Sequence, residues 1–306
     1  MKTMILAAGF GTRLRPYSLR RPKPLFPILD RPLLTLLIDQ VRRAGGAEIL
    51  VNGHHLQKQV ARQVAGDPAI TFQAETRILG TGGSLRRALS WCAARPLLVM
   101  NGDIVHTVDL AAVYDFHLAH PHAVTMVLHH YPRFNNVLVR DNRVRAFGVT
   151  AAETARRGEI LAFTGIHVLD PRVLHLIPPH GFHNIIDLYR QLIDTGETIA
   201  ALRIDSGPGT VFWRDIGTPA DYLELHGDLL HKRISLPFTA RIPAAQKNGF
   251  PLFGLHGAEI GAGVRLQDWV CIGRGAEISP GARLKRCVVW PGARVRTGSY
   301  EDAILM

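Results

Sequence analysis

Apolar runs of strand length alternate with helical patterns through the first two thirds of this 306-residue chain. Runs at 4–7, 48–51 and 97–100 predict strands, and amphipathic patterns at 33–43 and 56–64 predict helices. Strands that alternate with helices form βαβ units, which build a mostly parallel sheet covered on both faces. Ligands of such sheets bind beyond the carboxyl ends of the strands, so the residues that follow each strand are the first candidates for a site.

The middle of the chain is richer in strand patterns. Further strands are predicted at 70–72, 124–129, 137–140, 143–147, 162–169 and 198–204. Further helices are predicted at 83–92, 184–195 and 219–231. The fold class predicted for residues 1–235 is therefore α/β, with a Rossmann-like, mostly parallel sheet.

A six-residue repeat follows a connector at 236–251 that is rich in proline and basic residues. Its anchors are Ile260, Leu266, Ile272, Ile278, Leu284 and Trp290. Small or β-branched residues follow four positions after the first five anchors, at Val264, Val270, Ala276, Ala282 and Val288. A period of six suits a solenoid with three short strands per coil. The segment 252–306 resembles the left-handed parallel β-helix of hexapeptide-repeat proteins. At about two coils it is expected to pack on the main domain or on another subunit.

Composition narrows the class of protein. Lys and Arg outnumber Asp and Glu by 36 to 25, a formal charge of +11 that favours an anionic partner without naming it. The three cysteines are odd in number and widely spaced, which indicates a reducing compartment. The first apolar run ends at Gly9, too short for a signal peptide or a membrane span, so a cytoplasmic protein is predicted.

A glycine-rich, basic loop follows the first predicted strand. A dinucleotide fingerprint would need a third glycine where Leu14 stands, and no Walker A sequence is present. Glycines let backbone N–H groups converge on an anion, and Arg13 offers a permanently charged fork of donors to phosphate oxygens. Prolines on both sides of Lys23 hold this lysine on a stiff segment. These features predict a loop that holds phosphates; a basic turn without a ligand is the alternative.

Five stretches together resemble the sugar-1-phosphate nucleotidyltransferases. They are LAAGFGTRLRP (6–16) with PKPL (22–25), LGTGG (79–83), NGD (101–103), FTGI (163–166) and WRDIGTP (213–219). They occur in the order of that family and, with the repeat, cover nearly the whole chain. The resemblance implies an enzyme that transfers a nucleotidyl group from an NTP to a sugar-1-phosphate and releases pyrophosphate. It also implies a role in cell-envelope polysaccharide synthesis.

The resemblance assigns roles to named residues. Arg13, Lys23 and Asp103 would be catalytic, with Arg13 on the β- and γ-phosphates and Lys23 on the α-phosphate. Asp103 and Asp215 would hold Mg²⁺, which prefers carboxylate oxygens, water and phosphates. The nucleotide-binding residues would be Leu6, Ala8, Gly9, Gly11, Thr12, Arg13, Glu75, Gly80 and Thr81. The sugar-phosphate residues would be Asn101, Gly102, Thr164, Gly165 and Asp187.

The substrates are less closely defined. A carboxylate at Glu75 could accept hydrogen bonds from guanine or from uracil, so GTP and UTP both stay open. Many family members carry Glu-Lys-Pro before the strand that contains Gly165, whereas this chain has Arg156 and Arg157 in that region. Mannose-1-phosphate guanylyl transfer is the preferred prediction, and uridylyl transfer to glucose-1-phosphate or N-acetylmuramate-1-phosphate is the alternative. The predicted partners are these substrates and a second copy of the chain, with no nucleic acid or membrane.

Two other classes of protein fit the sequence less well. A non-catalytic subunit that binds NDP-sugar is disfavoured because Arg13, Lys23, Asp103 and Asp215 are all retained. A hexapeptide acyltransferase needs a histidine base on a long run of coils, and this short repeat offers only His256 at its start.

Overall fold

The computed structural model describes residues 1–93, 95–120, 122–150, 158–205, 211–237, 245–247, 250–254 and 257–306. The chain divides into two compact units, each assembled from three stretches of sequence. Unit 1 contains Met1–Gly9, Ile38–Gly102 and Val108–Trp213; unit 2 contains Phe10–Leu37, Asp103–Thr107 and Arg214–Met306. The glycine-rich loop thus begins in unit 1 and continues in unit 2. The domain boundaries at 235 and 252 stay predictions.

The helices are short to medium in length. They are Tyr17–Arg20 (α1), Leu33–Arg43 (α2), Gln57–Val64 (α3), Gly80–Arg87 (α4), Leu89–Cys92 (α5), Leu110–Ala119 (α6), Ile185–Asp194 (α7) and Pro219–Leu230 (α8). In the part of the chain that the structure describes, 3₁₀ turns lie at Thr12–Leu14, Lys23–Leu25 and Pro171–Leu176. Within the described ranges, none of the helices combines the length and the apolar character needed to cross a bilayer.

The strands fall into a large sheet and several small ones. In unit 1 they are Lys2–Leu6 (β1), Glu48–Gly53 (β4), Ile70–Ala74 (β5), Leu97–Asn101 (β6), Val124–His129 (β8), Val137–Arg140 (β9), Arg143–Phe147 (β10), Glu159–Leu169 (β11) and Ile199–Arg203 (β12). The short strands before α7 that belong to unit 2 are Pro27–Ile28 (β2), Arg31–Pro32 (β3) and Ile104–His106 (β7). The remaining strands are Trp213–Asp215 (β13), Ala245–Lys247 (β14), Phe250–Phe253 (β15), Glu259–Ile260 (β16), Arg265–Ile272 (β17), Glu277–Ile278 (β18), Arg283–Val289 (β19), Arg294–Val295 (β20), Ser299–Glu301 (β21) and Ile304–Leu305 (β22).

Unit 1 is built on a nine-stranded sheet in the order β5-β4-β1-β6-β11-β8-β12-β10-β9. β5, β4, β1 and β6 run parallel, β12 runs parallel to β8, and β11 is antiparallel to both of its neighbours β6 and β8. β8 is buried along its whole length, as expected for a strand covered on both faces. The structure therefore confirms the α/β class and the mostly parallel sheet.

The parallel strands bring polar residues to one edge of this sheet. β1 and β6 end in register, Leu6 beside Asn101, and β4 and β5 end with Gly53 beside Ala74. The chain therefore leaves the sheet at its carboxyl edge, at Ala7 after β1 and at Glu75 after β5. This is the edge at which such folds bind ligands.

Unit 2 contains α8 and two runs of parallel strands, β15-β17-β19-β21, with β22 also on β19, and β16-β18-β20. We call the strands β15–β22 the C-terminal stack. Ile260 pairs with Ile278 and Leu266 with Leu284, a spacing of three six-residue repeats. α8 begins at Pro219 because the Thr218 hydroxyl accepts the Asp221 N–H at 3.1 Å and caps the helix.

The six-residue period fails at its last anchor. The β17–β19 register shifts after Gln267, so Ile272 pairs with Val289 and not with Trp290. Val289 belongs to the apolar interior of the stack, and the Trp290 ring packs elsewhere in unit 2. A shift of one residue moves a side chain to the opposite face of a strand, which is why the predicted position of Trp290 was wrong.

Other differences from the predicted elements have simple causes. α6 carries apolar residues on most sides, so no amphipathic period marks it; the Asp109 carboxylate, which accepts the Ala112 N–H at 3.1 Å, begins it. The helix predicted at 83–92 begins earlier, at Gly80, and is broken at Ala88. The connector at 236–251 lies largely outside the described residues, as do Arg156, Arg157 and His256.

Candidate active site

Lys23 lies between two aspartates in unit 2. Its Nζ donates to Asp103 Oδ2 and to Asp215 Oδ1, each at 2.8 Å. The Lys23 side chain is only 8% exposed, against 14% for Asp215 and 38% for Asp103. The structure thus brings together two carboxylates that are 112 residues apart in the sequence, as the family motifs implied.

Local backbone structure fixes each member of this cluster. Lys23 opens a 3₁₀ turn in which the Phe26 N–H donates to the Lys23 carbonyl at 3.0 Å. The Asp103 carbonyl accepts the Ile216 N–H at 3.3 Å, which holds the two aspartate-bearing segments side by side. Gly217 leaves room for this carboxylate, because a Cβ at this position would lie 2.3 Å from Asp215 Oδ2 and would displace it.

Arg13 stands at the solvent side of the same cluster. Its Nη2 lies 3.5 Å from Asp215 Oδ2, and its side chain is 59% exposed. Such an exposed ion pair contributes little to stability, so most of the guanidinium's donors can serve an anion from solution. Gly11, at φ +61°, precedes the Thr12–Leu14 turn that carries Arg13, and a Cβ on Gly11 would lie 3.2 Å from Ser18 Cβ.

In unit 1 the end of β1 meets the end of β6. The Gly102 N–H donates to the Leu6 carbonyl at 2.8 Å, and a Cβ on Gly102 would lie 2.7 Å from that oxygen. The Ala7 N–H donates to Asn52 Oδ1 at 2.7 Å. Among the described residues, a Cβ on Gly9 would meet no atom within 4 Å, so packing against them does not demand glycine there. The open space beside Gly9 suits the close approach of a ligand.

Glu75 is fully buried in a hydrogen-bond network of unit 1. Its Oε1 accepts from Asn52 Nδ2 at 2.8 Å and from Ser84 Oγ at 2.7 Å. Its Oε2 is enclosed and has no hydrogen-bond partner within the described part of the chain. A base-reading role for Glu75 stays a prediction, since the carboxylate faces neighbouring side chains here. Sequence reasoning missed Asn52, although a polar residue that ends an apolar strand was the signal that singled out Asn101.

Gly80 and Thr81 begin α4 against the segment that leads into α7. A Cβ on Gly80, which has φ +70°, would lie 2.5 Å from the His183 carbonyl oxygen. That same oxygen accepts the Gly82 N–H at 2.9 Å, and Thr81 Oγ1 accepts the Ile185 N–H at 3.1 Å. The Thr81 hydroxyl still has its own proton to donate, so a nucleotide contact stays compatible with this role.

The residues predicted for sugar binding do not share one environment. Gly165, at φ +79°, lies under the Asn101 side chain: a Cβ would approach Asn101 Nδ2 to 2.5 Å. The Thr164 side chain is fully buried, with its hydroxyl donating to the Val127 carbonyl at 2.8 Å. The Thr164 carbonyl accepts Trp213 Nε1 at 2.9 Å, so only a rearranged backbone would bring Thr164 to a sugar.

Asp187 lies apart from these groups on the surface of α7. It is exposed and pairs with Arg190 Nη1 at 3.0 Å, one turn along the helix. Pairs of this kind stabilise a helix by only a few tenths of a kcal/mol. The sugar-binding roles of Asn101, Gly102, Thr164, Gly165 and Asp187 stay predictions.

The Lys23, Asp103 and Asp215 cluster in unit 2 is also the candidate metal site. Across the described residues, no group of three or more His, Cys, Asp or Glu side chains is placed to hold a metal ion. Mg²⁺ in nucleotide enzymes is commonly held by one or two carboxylates together with substrate phosphates and water. Asp103 Oδ2 and Asp215 Oδ1 each lie 2.8 Å from Lys23 Nζ, so these two oxygens are separated by no more than twice that distance. Two carboxylates this close together fit a metal ion that is shared with a nucleotide.

Comparison with known proteins identifies the family. The nucleotidyl transferase family model matches residues 2–232. The mannose-1-phosphate guanylyltransferase of Mycobacterium tuberculosis is 29% identical over 96% of this chain and 81% of its own length. The UTP–glucose-1-phosphate uridylyltransferase of Synechocystis is 26% identical over 99% of this chain and 81% of its own length. The crystal structure of HddC from Yersinia pseudotuberculosis complexed with GMP-PN matches with a TM-score of 0.59 and 22% identity, covering 74% of this chain and 97% of that one.

The chain belongs to the nucleotidyl transferase family. Within that class it is a sugar-1-phosphate nucleotidyltransferase, an enzyme that joins the nucleotidyl group of an NTP to a sugar-1-phosphate. The resemblance found in the sequence is confirmed, and the non-catalytic subunit and the acyltransferase are set aside.

Proposed function

We propose that the enzyme transfers a guanylyl group from GTP to mannose-1-phosphate with the help of Mg²⁺. The choice of sugar and base is supported by the M. tuberculosis relative, which is named a mannose-1-phosphate guanylyltransferase and aligns with 96% of this chain. Uridylyl transfer, for which the Synechocystis relative is named, is the alternative. Glu75 is buried here, so it would read a base only after its carboxylate is opened to the site, and it would then accept from N–H donors that guanine and uracil share.

The observation that carries the proposed chemistry is the position of Lys23. Its ammonium has three N–H donors, and two of them point to Asp103 and Asp215 at 2.8 Å. The third donor can go to an oxygen of the α-phosphate. In the reaction a sugar-phosphate oxygen forms a bond to the α-phosphorus, and the bond from that phosphorus to the bridging oxygen breaks to release pyrophosphate. Lys23 would stabilise the negative charge that develops on the α-phosphate oxygens.

The other residues of the site and of the glycine-rich loop would bind the phosphates and the metal ion. Arg13 would bind the β- and γ-phosphates, which become the pyrophosphate that leaves, because its guanidinium is exposed and permanently charged. Asp103 and Asp215 would hold Mg²⁺, which neutralises phosphate charge when bound. The same aspartates orient Lys23 through the two hydrogen bonds described above. Gly9, Gly11 and Thr12 would bind the triphosphate through the backbone N–H groups of the loop.

Several finer features belong to the same proposal. We assign the C-terminal stack to a short left-handed β-helix, supported by the 18-residue spacing of Ile260 with Ile278 and of Leu266 with Leu284. A cytoplasmic location, a homo-oligomer formed through the stack, and a role in cell-envelope polysaccharide synthesis stay predictions.

The test is a screen for pyrophosphate release that crosses four NTPs with a panel of sugar-1-phosphates, with and without Mg²⁺. We expect GTP with mannose-1-phosphate to give the highest kcat/KM, and chelation of the metal to abolish the signal. Asp103→Ala should lose activity, and Asp194→Ala, which changes an exposed aspartate on α7, should not. If no pair released pyrophosphate and Asp103→Ala bound nucleotide as the parent does, the proposed reaction would be wrong. Highest activity with UTP would show that the donor is UTP and not GTP, and the roles proposed for the site residues would stand.

A further inference from the structure

Residues of α8 and of the C-terminal stack contact the segment that carries Lys23, and all of these elements belong to unit 2. The Leu29 N–H donates to His226 Nε2 at 3.0 Å, and the Tyr222 hydroxyl donates to the Pro27 carbonyl. Cys271 Sγ from the stack lies 3.7 Å from the Leu29 carbonyl oxygen. Leu29 itself has φ +60°, a conformation that costs energy for leucine and persists only when the surroundings hold it.

Trp290 also contacts this segment. Its ring centroid lies 4.8 Å from that of Phe26 at an interplanar angle of 68°, and Phe26 is completely buried. Trp290 Nε1 donates to the Tyr222 hydroxyl at 3.2 Å, and the Arg21 guanidinium lies 4.9 Å from the Trp290 ring centroid. Trp290 reaches Phe26 because the register shift in β19 leaves Val289 in the interior of the stack.

Both polar contacts depend on uncharged side chains. Burial lowers the pKa of His226 to about 4, and burial raises the pKa of Tyr222 well above its ordinary value. The neutral imidazole therefore donates from Nδ1 to the Tyr222 carbonyl at 2.8 Å and accepts the Leu29 N–H at Nε2. A rigid frame results, in which the backbone on the carboxyl side of Lys23 is bound at Pro27 and Leu29.

We propose that Tyr222 and Trp290 are positioning residues for nucleotidyl transfer: they hold the Arg21–Leu29 segment so that Lys23 Nζ stays between Asp103 and Asp215. The inference rests on the role proposed for Lys23. Lys23 and Phe26 are the two ends of one 3₁₀ turn, joined by the Phe26 N–H to Lys23 carbonyl bond at 3.0 Å. A displacement of Phe26 would therefore strain this bond and act on the Lys23 backbone. A misplacement of about 1 Å in a catalytic group can cost about a hundredfold in rate.

The first test is Tyr222→Phe, which keeps the ring and removes the hydroxyl that joins Pro27 to Trp290. We expect kcat to fall by about three- to tenfold, the effect of one hydrogen bond, with the KM for NTP changed less than about twofold. The matched control is Tyr300→Phe, which removes an exposed hydroxyl on the stack that bonds to the Arg296 carbonyl at 3.2 Å. It should leave both constants unchanged.

A double-mutant cycle separates positioning from general loss of structure. In a Lys23→Met background, Tyr222→Phe should have no further effect on kcat, because the group that it positions is gone. An equal loss of kcat in both backgrounds would overturn the proposal and leave Tyr222 a purely structural residue. An unchanged kcat for Tyr222→Phe in the parent background would also overturn it.

A second readout does not depend on activity. Hydrogen exchange of the peptide that contains Leu29 should be faster in Trp290→Phe and in Tyr222→Phe than in the parent. Trp91→Phe, which changes a tryptophan of unit 1, is the matched control and should not alter this peptide. Unchanged exchange at Leu29 in both variants would contradict the proposed fastening. Failure of the parent enzyme to release pyrophosphate would instead refute the proposed function and leave the exchange result valid.

Discussion

Removal of the Lys23 charge is the most direct test of the site. Lys23→Met keeps a side chain of similar length and removes the ammonium that lies 2.8 Å from both Asp103 Oδ2 and Asp215 Oδ1. If this ammonium stabilises charge that develops only in the transition state, its loss should lower kcat by about 10²- to 10³-fold. That loss corresponds to about 2.7–4 kcal/mol, the usual effect of one preorganised donor.

The KM for NTP should change much less than kcat. Arg13 stays in place to bind the terminal phosphates, so we expect the KM for NTP to change by less than about threefold. The free energy of unfolding should fall by about 3–5 kcal/mol, since Asp215 is only 14% exposed and would keep a largely buried charge after losing the Lys23 ammonium. Lys58→Met, which changes an exposed lysine on α3, is the control for loss of one positive charge.

The assay is steady-state pyrophosphate release over a range of NTP concentrations, together with urea unfolding of each variant. Direct nucleotide binding should be measured by calorimetry, because KM equals the dissociation constant only when chemistry is slow. An unchanged kcat with a KM raised a hundredfold would refute the reasoning. Lys23 would then bind substrate and transition state equally well.

Three further predictions test other parts of the molecule. Gly165→Ala places a Cβ 2.5 Å from Asn101 Nδ2, so the KM for sugar phosphate should rise at least about tenfold. The control is Gly66→Ala, at φ +85° with no described atom near the added Cβ; it should cost only about 1 kcal/mol of backbone strain, measured by urea unfolding. His226 has a pKa near 4 in the folded protein and near 6.5 when unfolded, so the unfolded chain takes up the proton first as pH falls. Stability should therefore drop by about 3 kcal/mol as pH falls from about 6.5 to 4, and His226→Gln should flatten this slope in urea titrations. Asp215→Asn should weaken Mn²⁺ binding to the nucleotide complex by about tenfold or more, measured by electron paramagnetic resonance; unchanged binding would remove Asp215 from the metal site.

The fold was predictable where local pattern and tertiary environment agree. α2 and the strands β8, β9 and β10 have the predicted bounds, because their apolar periods match the faces that the sheet covers. α6 was missed because a helix that is apolar on most sides has no period to detect. The stack was predicted as a repeat, but the shift that frees Trp290 depends on a bulge near Gln267 that no six-residue count reveals.

The site was predictable in its members more than in its geometry. The pairing of Asp103 with Asp215 came from the family motifs, because a separation of 112 residues carries no spatial information by itself. The contact of Lys23 with both aspartates was not predicted. The burial of Glu75 could not be foreseen, since Asn52 and Ser84, which enclose its Oε1, come from other elements. Nothing in the repeat suggested that Tyr222 and Trp290 support a segment near the other end of the chain.

The contact between Phe26 and Trp290 also orders events during synthesis. About 260 residues separate the two rings, so at about 5–20 residues per second the ribosome needs about 13–50 s to supply the second after the first. Unit 1 can bury its sheet before that time, since its residues end at Trp213. The Lys23 segment can reach its final packing only after Trp290 has been synthesised. A nascent chain is therefore expected to be folded over most of its length well before it can turn over substrate.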